Sequence, residues 1–390
     1  MSNIGTIREY VYLDHAATSP MRPTVAHAME PFHDQVYANP SGSHRFARDA
    51  RRVIDEARDN VAEIIGCRPG EIVFTSGGTE GANTAVLGTI RRRGGVAVCS
   101  SAEHHAVLHC VEHVGGRVLP VTQDGVIDPT ALRQTLREMS DVSLVSAMAV
   151  NNEVGSITDM QEVSRAVRRV FPEAVLHTDA VQSACWIDLR NIWPHVDVLT
   201  LSAHKFGGPK GMGIMVVREG IVLEPLLFGG GQERDRRSGT HNVAGIVGTT
   251  AALRITDEQR ISEVERISIL RSRLLDGLEA KIDCAKRTLT TNTVAGIAHI
   301  CLEGLENESL LYLLDEHGVC ASAASACASG AMEPSHVLAA MAVPMQKSKG
   351  ALRFSLGHTT TESDIDTAIS SVDQAVTRLQ QSTKRKVTAQ

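Results

Sequence analysis

Long apolar runs are missing from this sequence. Nowhere does it approach the roughly 18 consecutive apolar residues of a membrane span. The stretch from Met1 to Tyr10 lacks the apolar core of a secretory signal. A soluble, cytoplasmic protein with no membrane partner is the expectation. An excess of positive charge is missing too. Thirty-nine Lys and Arg stand against 45 Asp and Glu, a net charge of −6, so the surface as a whole does not invite direct nucleic-acid binding. Two short basic runs, Arg91-Arg92-Arg93 and Lys384-Arg385-Lys386, read as solvated surface. The eight cysteines are scattered and form no CxxC pair, which argues against a structural zinc site and a disulfide framework. Most are expected to be small buried hydrophobes. Internal repeats and low-complexity linkers are missing as well.

What is present is a chain of 390 residues, 43% hydrophobic and 22% charged. At about 150 residues per domain it is long enough for two or three domains. Its middle alternates two textures. Residues 71–75, 96–99, 142–150, 174–178 and 196–201 read as short strands, and residues 77–90, 104–114 and 158–170 as helices. Asp128 before Pro129 is a helix cap followed by proline at the first helical position, opening a helix to about residue 138. This alternation predicts an α/β fold with a mostly parallel, helix-covered sheet. After about residue 255 the texture changes to a long helix reaching residue 281, strands at 296–302 and 351–356, and a final helix. Thr361 and Asp364 form a capping box for that helix. Its apolar face is Ile365, Ile369, Val372, Val376 and Leu379, and a frayed tail is expected after residue 381.

Four constellations have chemical potential. Ser76-Gly77-Gly78-Thr79-Glu80 follows a strand and opens a helix. Glycines let a backbone approach an anion, and a helix N-terminus supplies N–H groups and a positive dipole end. Gly78 and Thr79 therefore suit a phosphate cup, although a plain strand-to-helix turn uses the same residues. Ser202-Ala203-His204-Lys205 follows an apolar strand and leads into a glycine-rich run. Ligands of parallel sheets sit at strand carboxyl ends. A lysine there suits a Schiff base, because burial makes an amine nucleophilic; a surface lysine is the alternative. His177-Thr178-Asp179-Ala180-Val181-Gln182 ends another strand, where Asp179 suits a pyridinium nitrogen or a simple cap. Ser325-Ala326-Cys327-Ala328-Ser329-Gly330 presents either an exposed nucleophilic cysteine or a buried one in a tight turn.

In this order the motifs resemble the cysteine desulfurases of the NifS/IscS family, nearly end to end. Tyr12-Leu13-Asp14-His15-Ala16-Ala17-Thr18 and Asn39-Pro40-Ser41 open the likeness. Glu103-His104, Asn151-Asn152-Glu153-Val154-Gly155, Gly229-Gly230-Gly231-Gln232-Glu233 and Arg237-Ser238-Gly239-Thr240 continue it. Glu333-Pro334-Ser335 and Arg353-Phe354-Ser355-Leu356-Gly357 close it. The resemblance implies a fold-type-I pyridoxal 5'-phosphate (PLP) architecture. Residues 16–255 would form the large α/β domain with a mostly parallel seven-stranded sheet, and residues 1–15 and 256–390 a smaller α+β domain. It implies PLP as cofactor, no metal, and conversion of L-cysteine to L-alanine with the sulfur left as a persulfide on Cys327.

Roles follow from the same resemblance. Lys205 would be the Schiff-base lysine and shuttle the substrate α-proton. His104 would stack on the ring and act in acid–base chemistry. Asp179 would pair with the pyridinium nitrogen and Gln182 with the ring hydroxyl. Gly78, Thr79, Ser202 and His204 would hold the phosphate. Thr240 would reach the phosphate in the partner subunit of a homodimer. Asn152, also beside the cofactor, and Arg353 would hold the substrate carboxylate, for which a guanidinium fork is suited. The sulfur would pass to an acceptor protein, for iron–sulfur cluster assembly or for sulfur modification such as DNA phosphorothioation. The altered loop and arginine content slightly resemble the desulfurases of that second, DndA-like type. The family's usual Ser-Ser-Gly-Ser-Ala-Cys-Thr-Ser appears as Ser322-Ala323-Ala324-Ser325-Ala326-Cys327-Ala328-Ser329. Alanine has fewer backbone states than glycine, so a more ordered loop is expected, holding Cys327 away from the cofactor at rest. Rival readings are a selenocysteine lyase or aminotransferase of the same fold, and a non-catalytic sulfur carrier. An aminotransferase has no need of Cys327, and a carrier has no need of Lys205, Asp179 and His104 together.

Overall fold

The structure is a computed structural model that describes residues 10–323 and 335–388, the last six as backbone only. Cys327 and the substituted positions Ala324 and Ala328 lie outside the described residues, and with them the expectation about that loop. Along the chain come β1 (Val11–Tyr12), α1 (Pro23–Met29), α2 (Pro31–Asp34), α3 (Arg45–Ile65), β2 (Ile72–Thr75), α4 (Gly78–Arg93), β3 (Val96–Ser100), α5 (His105–His113), β4 (Arg117–Leu119), α6 (Pro129–Arg137), β5 (Val142–Ser146), α7 (Met160–Arg168), β6 (Val175–Asp179), β7 (Val198–Ser202), β8 (Gly213–Val217) and α8 (Val243–Lys281). Then follow β9 (Ala285–Arg287), β10 (Ile297–Leu302), α9 (Asn307–Glu316), β11 (Val319–Cys320), α10 (His336–Ala340), α11 (Met345–Ser348), β12 (Ala351–Ser355) and α12 (Glu362–Thr388). Among the described residues no helix is long and apolar enough to cross a membrane.

The chain divides into two compact units. The larger comprises Thr18–Asn151 and Ile157–Ile261. Its seven strands stand in the order β2-β8-β7-β6-β5-β3-β4. β4, β3, β5, β6 and β7 are mutually parallel, and β8 runs antiparallel to both of its neighbours. Every residue of β5, β6, β7 and β8 is buried, as a sheet covered on both faces requires. Successive side chains point to opposite faces, and two separate cores result. Val98, Val145, Leu176, Leu199 and Ile214 pack with Ile54 and Val61 of α3, Leu132 of α6 and Val163 of α7. Ala97, Leu144, Val175, Val198 and Met215 pack with Ala85 and Val86 of α4 and Val107 of α5. Truncating one of these, such as Leu176, to alanine removes about 2–5 kcal/mol.

The local signals work as physical chemistry dictates. Asp128 Oδ1 accepts from the N–H groups of Thr130 at 2.7 Å and Ala131 at 3.3 Å, capping α6. The apolar run 142–150 is strand only to Ser146. Its remainder stays buried, with the Ala147 and Ala149 N–H groups bonded to the His177 and Asp179 carbonyls.

In the smaller unit, β10 stands between β9 and β12 in an antiparallel sheet, and β1 pairs with β11 in parallel. The Thr361–Asp364 box forms in both directions: Thr361 N–H donates to Asp364 at 2.8 Å, and Asp364 N–H to the Thr361 hydroxyl at 3.2 Å. Ile365, Ile369, Val372 and Val376 are buried. Beyond residue 381 the backbone remains helical to Thr388 rather than fraying.

Candidate active site

The site is built at the carboxyl edge of the larger unit's sheet. β8 reverses direction between β7 and β2, so β2 runs the same way as β7. Thr75 and Ser202, the last residues of those two strands, both pair with Gly213. The turn after β2 thus emerges beside the turn after β7. A Cβ at Gly78 would lie 2.6 Å from Val181 Cγ2 and 3.7 Å from Ser202 Cβ, and one at Gly81 would lie 2.7 Å from Thr200 Cγ2. Only glycine lets α4 approach the ends of β6 and β7 this closely. Gly77 precedes the helix without any side-chain cap, so the first-turn N–H groups of Gly78 and Thr79 face an anion's natural position beside Ser202.

Asp179 ends β6 and is 5% exposed. Its Oδ1 accepts the Val181 N–H at 2.9 Å, so it caps its own turn. Burial pushes its pKa up, while charge on His104, the Val181 N–H and charge on Lys205 pull it down. Lys205 follows β7, the parallel neighbour of β6, and His104 follows β3 at the same edge of the sheet. His104 is fixed by its Nδ1, which accepts the Ala106 N–H at 3.1 Å as the cap of α5. Lys205 closes a 3-10 turn after β7. Its carbonyl accepts from Ser19 Oγ at 3.2 Å and lies 3.7 Å from Cys185 Sγ. His204 Nδ1 lies 3.0 Å from Thr18 Oγ1. Burial first, then the charges of Lys205 and Lys210, hold its pKa at about 4, so at neutral pH it is an uncharged donor and acceptor. Gln182 is buried in the turn after Asp179. Thr240 is exposed in the loop before α8.

This donor set fits PLP. A carboxylate that burial makes costly to ionise is stabilised by a protonated pyridine nitrogen. A helix N-terminus free of side-chain caps suits a phosphate, and a lysine amine within reach suits the aldehyde carbon.

Two other candidates lie in the smaller unit. Arg353 on β12 is 4% exposed. It donates through Nη1 to the Asn152 carbonyl at 2.8 Å and through Nη2 to Asp14 Oδ1 at 2.9 Å. Asn152 and Arg353 therefore come together through a backbone oxygen.

The sequence reading gave no role to Glu103. It is fully buried and accepts from Met148 N–H at 2.6 Å and Ser100 Oγ at 3.1 Å. Burial, and then the charge of Asp179, push its pKa up to about 8. Its place beside His104, just past the end of β3, was the available signal.

Residues 11–367 match the family described as Aminotransferase class-V. The chain belongs to that family. The "Cysteine desulfurase IscS" of Dictyoglomus turgidum is 39% identical over 382 residues, covering 96% of each chain. A solved NifS-like protein matches with a TM-score of 0.87 at 34% identity, over 95% of this chain and 100% of that one. SspA, solved in complex with cysteine, matches at 0.76 and 30% identity, over 88% and 98%. Class-V aminotransferases are PLP-dependent, and PLP is the cofactor of this chain as its donor set already indicated. The α/β fold with a mostly parallel seven-stranded sheet, expected from the motifs, is the fold of these relatives.

Proposed function

We propose that this class-V aminotransferase is a cysteine desulfurase. It takes L-cysteine, releases L-alanine, and leaves the sulfur as a persulfide on Cys327. The observation that carries this reading is that His104, the buried Asp179 and Lys205 lie at or just past the carboxyl ends of the parallel strands β3, β6 and β7.

Bound there, PLP supplies an electron sink for negative charge developing at the substrate Cα. Asp179 keeps the ring nitrogen protonated. Gln182 orients the ring through its hydroxyl. Gly78, Thr79, Ser202 and His204 fix the phosphate. The Lys205 amine takes the Cα proton and later returns a proton to product. His104 would hold the ring and act in acid–base chemistry, its Nδ1 engaged by the Ala106 N–H. Arg353 and Asn152 bind the cysteine carboxylate. The Cys327 thiolate attacks the substrate sulfur. A sulfur–sulfur bond forms, the substrate Cβ–S bond breaks with its electron pair going to carbon, and a proton completes the methyl group of alanine. No external oxidant is required.

The proposal includes a homodimer in which Thr240 completes the phosphate site of the partner subunit. Phe228 (75% exposed), Tyr37 (68%) and Leu227 (42%) are exposed apolar side chains of the larger unit that a second copy would cover. It also includes an acceptor protein that takes the sulfane sulfur, for iron–sulfur assembly or DNA phosphorothioation. We place the enzyme in the cytoplasm, supported by the seven described cysteines, all free thiols.

Alanine and sulfide release from L-cysteine with dithiothreitol tests the reading. Wild type should yield both. Lys205→Ala and Cys327→Ala should yield neither, the cysteine variant remaining yellow. Full activity in Cys327→Ala replaces this reading with a lyase that needs no persulfide.

A further inference from the structure

The cysteine-bearing segment enters from Ala323 and leaves at Ser335, and both ends are held in the smaller unit by neighbouring groups. On the entry side, Ser322 and Arg353 exchange backbone hydrogen bonds, Arg353 N–H to Ser322 O at 2.7 Å and Ser322 N–H to Arg353 O at 3.1 Å. The Arg353 side chain donates to the Asn152 carbonyl at 2.8 Å. The next residue is Glu153, 1% exposed. On the exit side, the Ser335 hydroxyl donates to Glu153 Oε1 and accepts the Leu338 N–H at 3.0 Å, starting α10. A buried carboxylate thus ties down the residue that ends the segment. Its peptide neighbour is gripped by the arginine whose backbone holds the residue before the segment.

The chain just beyond Glu153 is itself fixed. Gly155 sits at φ +79°, where a Cβ would lie 3.0 Å from Ile297 Cβ, and its carbonyl accepts the Val294 N–H at 2.9 Å. Around the carboxylate, His299 Nε2 lies 4.0 Å from Oε1 and is buried without a hydrogen-bond partner among the described residues. Burial, and then the charge of Arg353, hold His299 at about 3, so it is neutral and does not compete with Ser335 for a charged bond. Burial raises Glu153 to about 7 against the pull of Ser335 and Arg353. Ionising this group is costly, and a mere surface-capping role would not require that cost.

We infer that Glu153 is a positioning residue for Cys327, anchoring the exit of its segment through Ser335 while the adjacent Arg353 anchors the entry. This rests on the desulfurase reading for its catalytic consequence, though not for the anchoring. A tethered nucleophile's effective concentration depends on where its tether is fixed. Releasing one anchor lowers the rate of the step that uses Cys327. It leaves the binding of cysteine, which precedes that step, alone.

The test uses the holoenzyme and the variants Glu153→Ala, Glu153→Gln and Ser335→Ala. Hydrogen exchange of peptides covering 335–340 is measured first, because it needs no turnover. Glu153→Ala and Ser335→Ala should exchange faster there than wild type, and Glu153→Gln, which keeps an acceptor for the Ser335 hydroxyl, should not. In turnover, kcat for alanine formation should fall about tenfold in Glu153→Ala with KM within about twofold, the pattern of a lost post-binding interaction. Glu153→Gln should recover most of kcat. Glu153→Ala/Ser335→Ala should be no slower than the slower single variant, since both remove one contact. Wild-type exchange and kcat in both alanine variants overturn the proposal. So does a rise in KM with kcat unchanged, or a double variant slowed by the product of the two single effects. Cys327→Ala runs in parallel. If it retains turnover, the desulfurase reading fails, and exchange alone still supports or overturns the anchoring.

Discussion

Glu233 shows how much one side chain holds in this molecule. It is 5% exposed and takes a fork from Arg58, Nη2 to Oε1 at 2.7 Å and Nη1 to Oε2 at 3.0 Å. Phe74 N–H adds a bond at 3.0 Å, and His241 Nε2 lies 2.8 Å away. Burial alone would raise the carboxyl pKa, but the hydrogen bonds from His241 and Arg58 hold it down at about 2. An acid whose folded pKa lies below its unfolded value, about 4.3, stabilises the fold fully above that value. The contribution fades as pH falls through 2. Arg58→Ala strands a buried carboxylate and should lose roughly 3–5 kcal/mol at neutral pH. The deficit should shrink toward pH 3, where wild type begins to surrender its own share. Denaturant midpoints of both proteins at pH 7 and pH 3 check this, and an unchanged deficit contradicts it. The same residue scale marks what a sequence hides. Lys205 and Asp179 were legible because each follows an apolar strand, a position where chain topology itself gathers ligands. Glu103 and Glu153 were not, because a carboxylate that tertiary packing buries is spelled like one that faces water. No periodicity distinguishes them.

At the level of elements, the α6 cap is a clean local test. Asp128→Ala removes two hydrogen bonds to the Thr130 and Ala131 N–H groups and should cost about 0.5–2 kcal/mol. Asp128→Asn should recover most of it, because the amide oxygen accepts the same bonds. Equal midpoints for Asp128→Ala and wild type would show that α6 is held by Leu132 and Leu136 alone. Such caps, and the parallel strands β3, β5, β6 and β7, were readable since each signal is complete within a few residues; the three-residue β4 was not. Nor was β8. No α-helix leads into it from β7, only a 3-10 turn and a glycine-rich stretch, and its antiparallel insertion breaks the strand–helix rhythm from which the sheet was inferred. α3 escaped for a different reason. Four of its buried positions, Ala47, Ala50, Ala57 and Ala62, are alanines, whose burial adds little to an apolar pattern. The long helix α8 begins at Val243 rather than near residue 255, because its first turns carry Gly245 and Gly248 and read as loop. There Met29 and Pro209 pack so closely that a Cβ on Gly248 would meet them at 2.5 and 3.3 Å. A close packing demand, invisible to propensity, decided the element's start.

For the molecule as a whole, the cofactor should act as a folding ligand of the larger unit. Its candidate anchors, Gly78 and Thr79, His104, Asp179 and Gln182, and Ser202 to Lys205, come from separate stretches that only the seven-strand sheet gathers at one edge. An unfolded chain does not present them together. A ligand that binds only the folded state stabilises it by about 2.7 kcal/mol at a hundredfold excess over Kd and about 4.1 at a thousandfold. Stripping PLP should therefore lower the unfolding midpoint, and adding it back should restore the midpoint in a concentration-dependent way. Asp179→Ala should blunt that rise, because it removes the buried carboxylate proposed to pair with the ring nitrogen. Arg353→Ala should not, because its contacts are with Asn152 and Asp14 in the smaller unit, which has its own sheets and buried side chains. If the two units melt separately, only the transition that carries the visible absorbance should move. Calorimetry with parallel absorbance on wild type and both variants decides the matter. A midpoint indifferent to PLP in wild type would mean that the edge of this sheet does not hold the cofactor. A rise abolished by Arg353→Ala would mean that the smaller unit contributes to holding it.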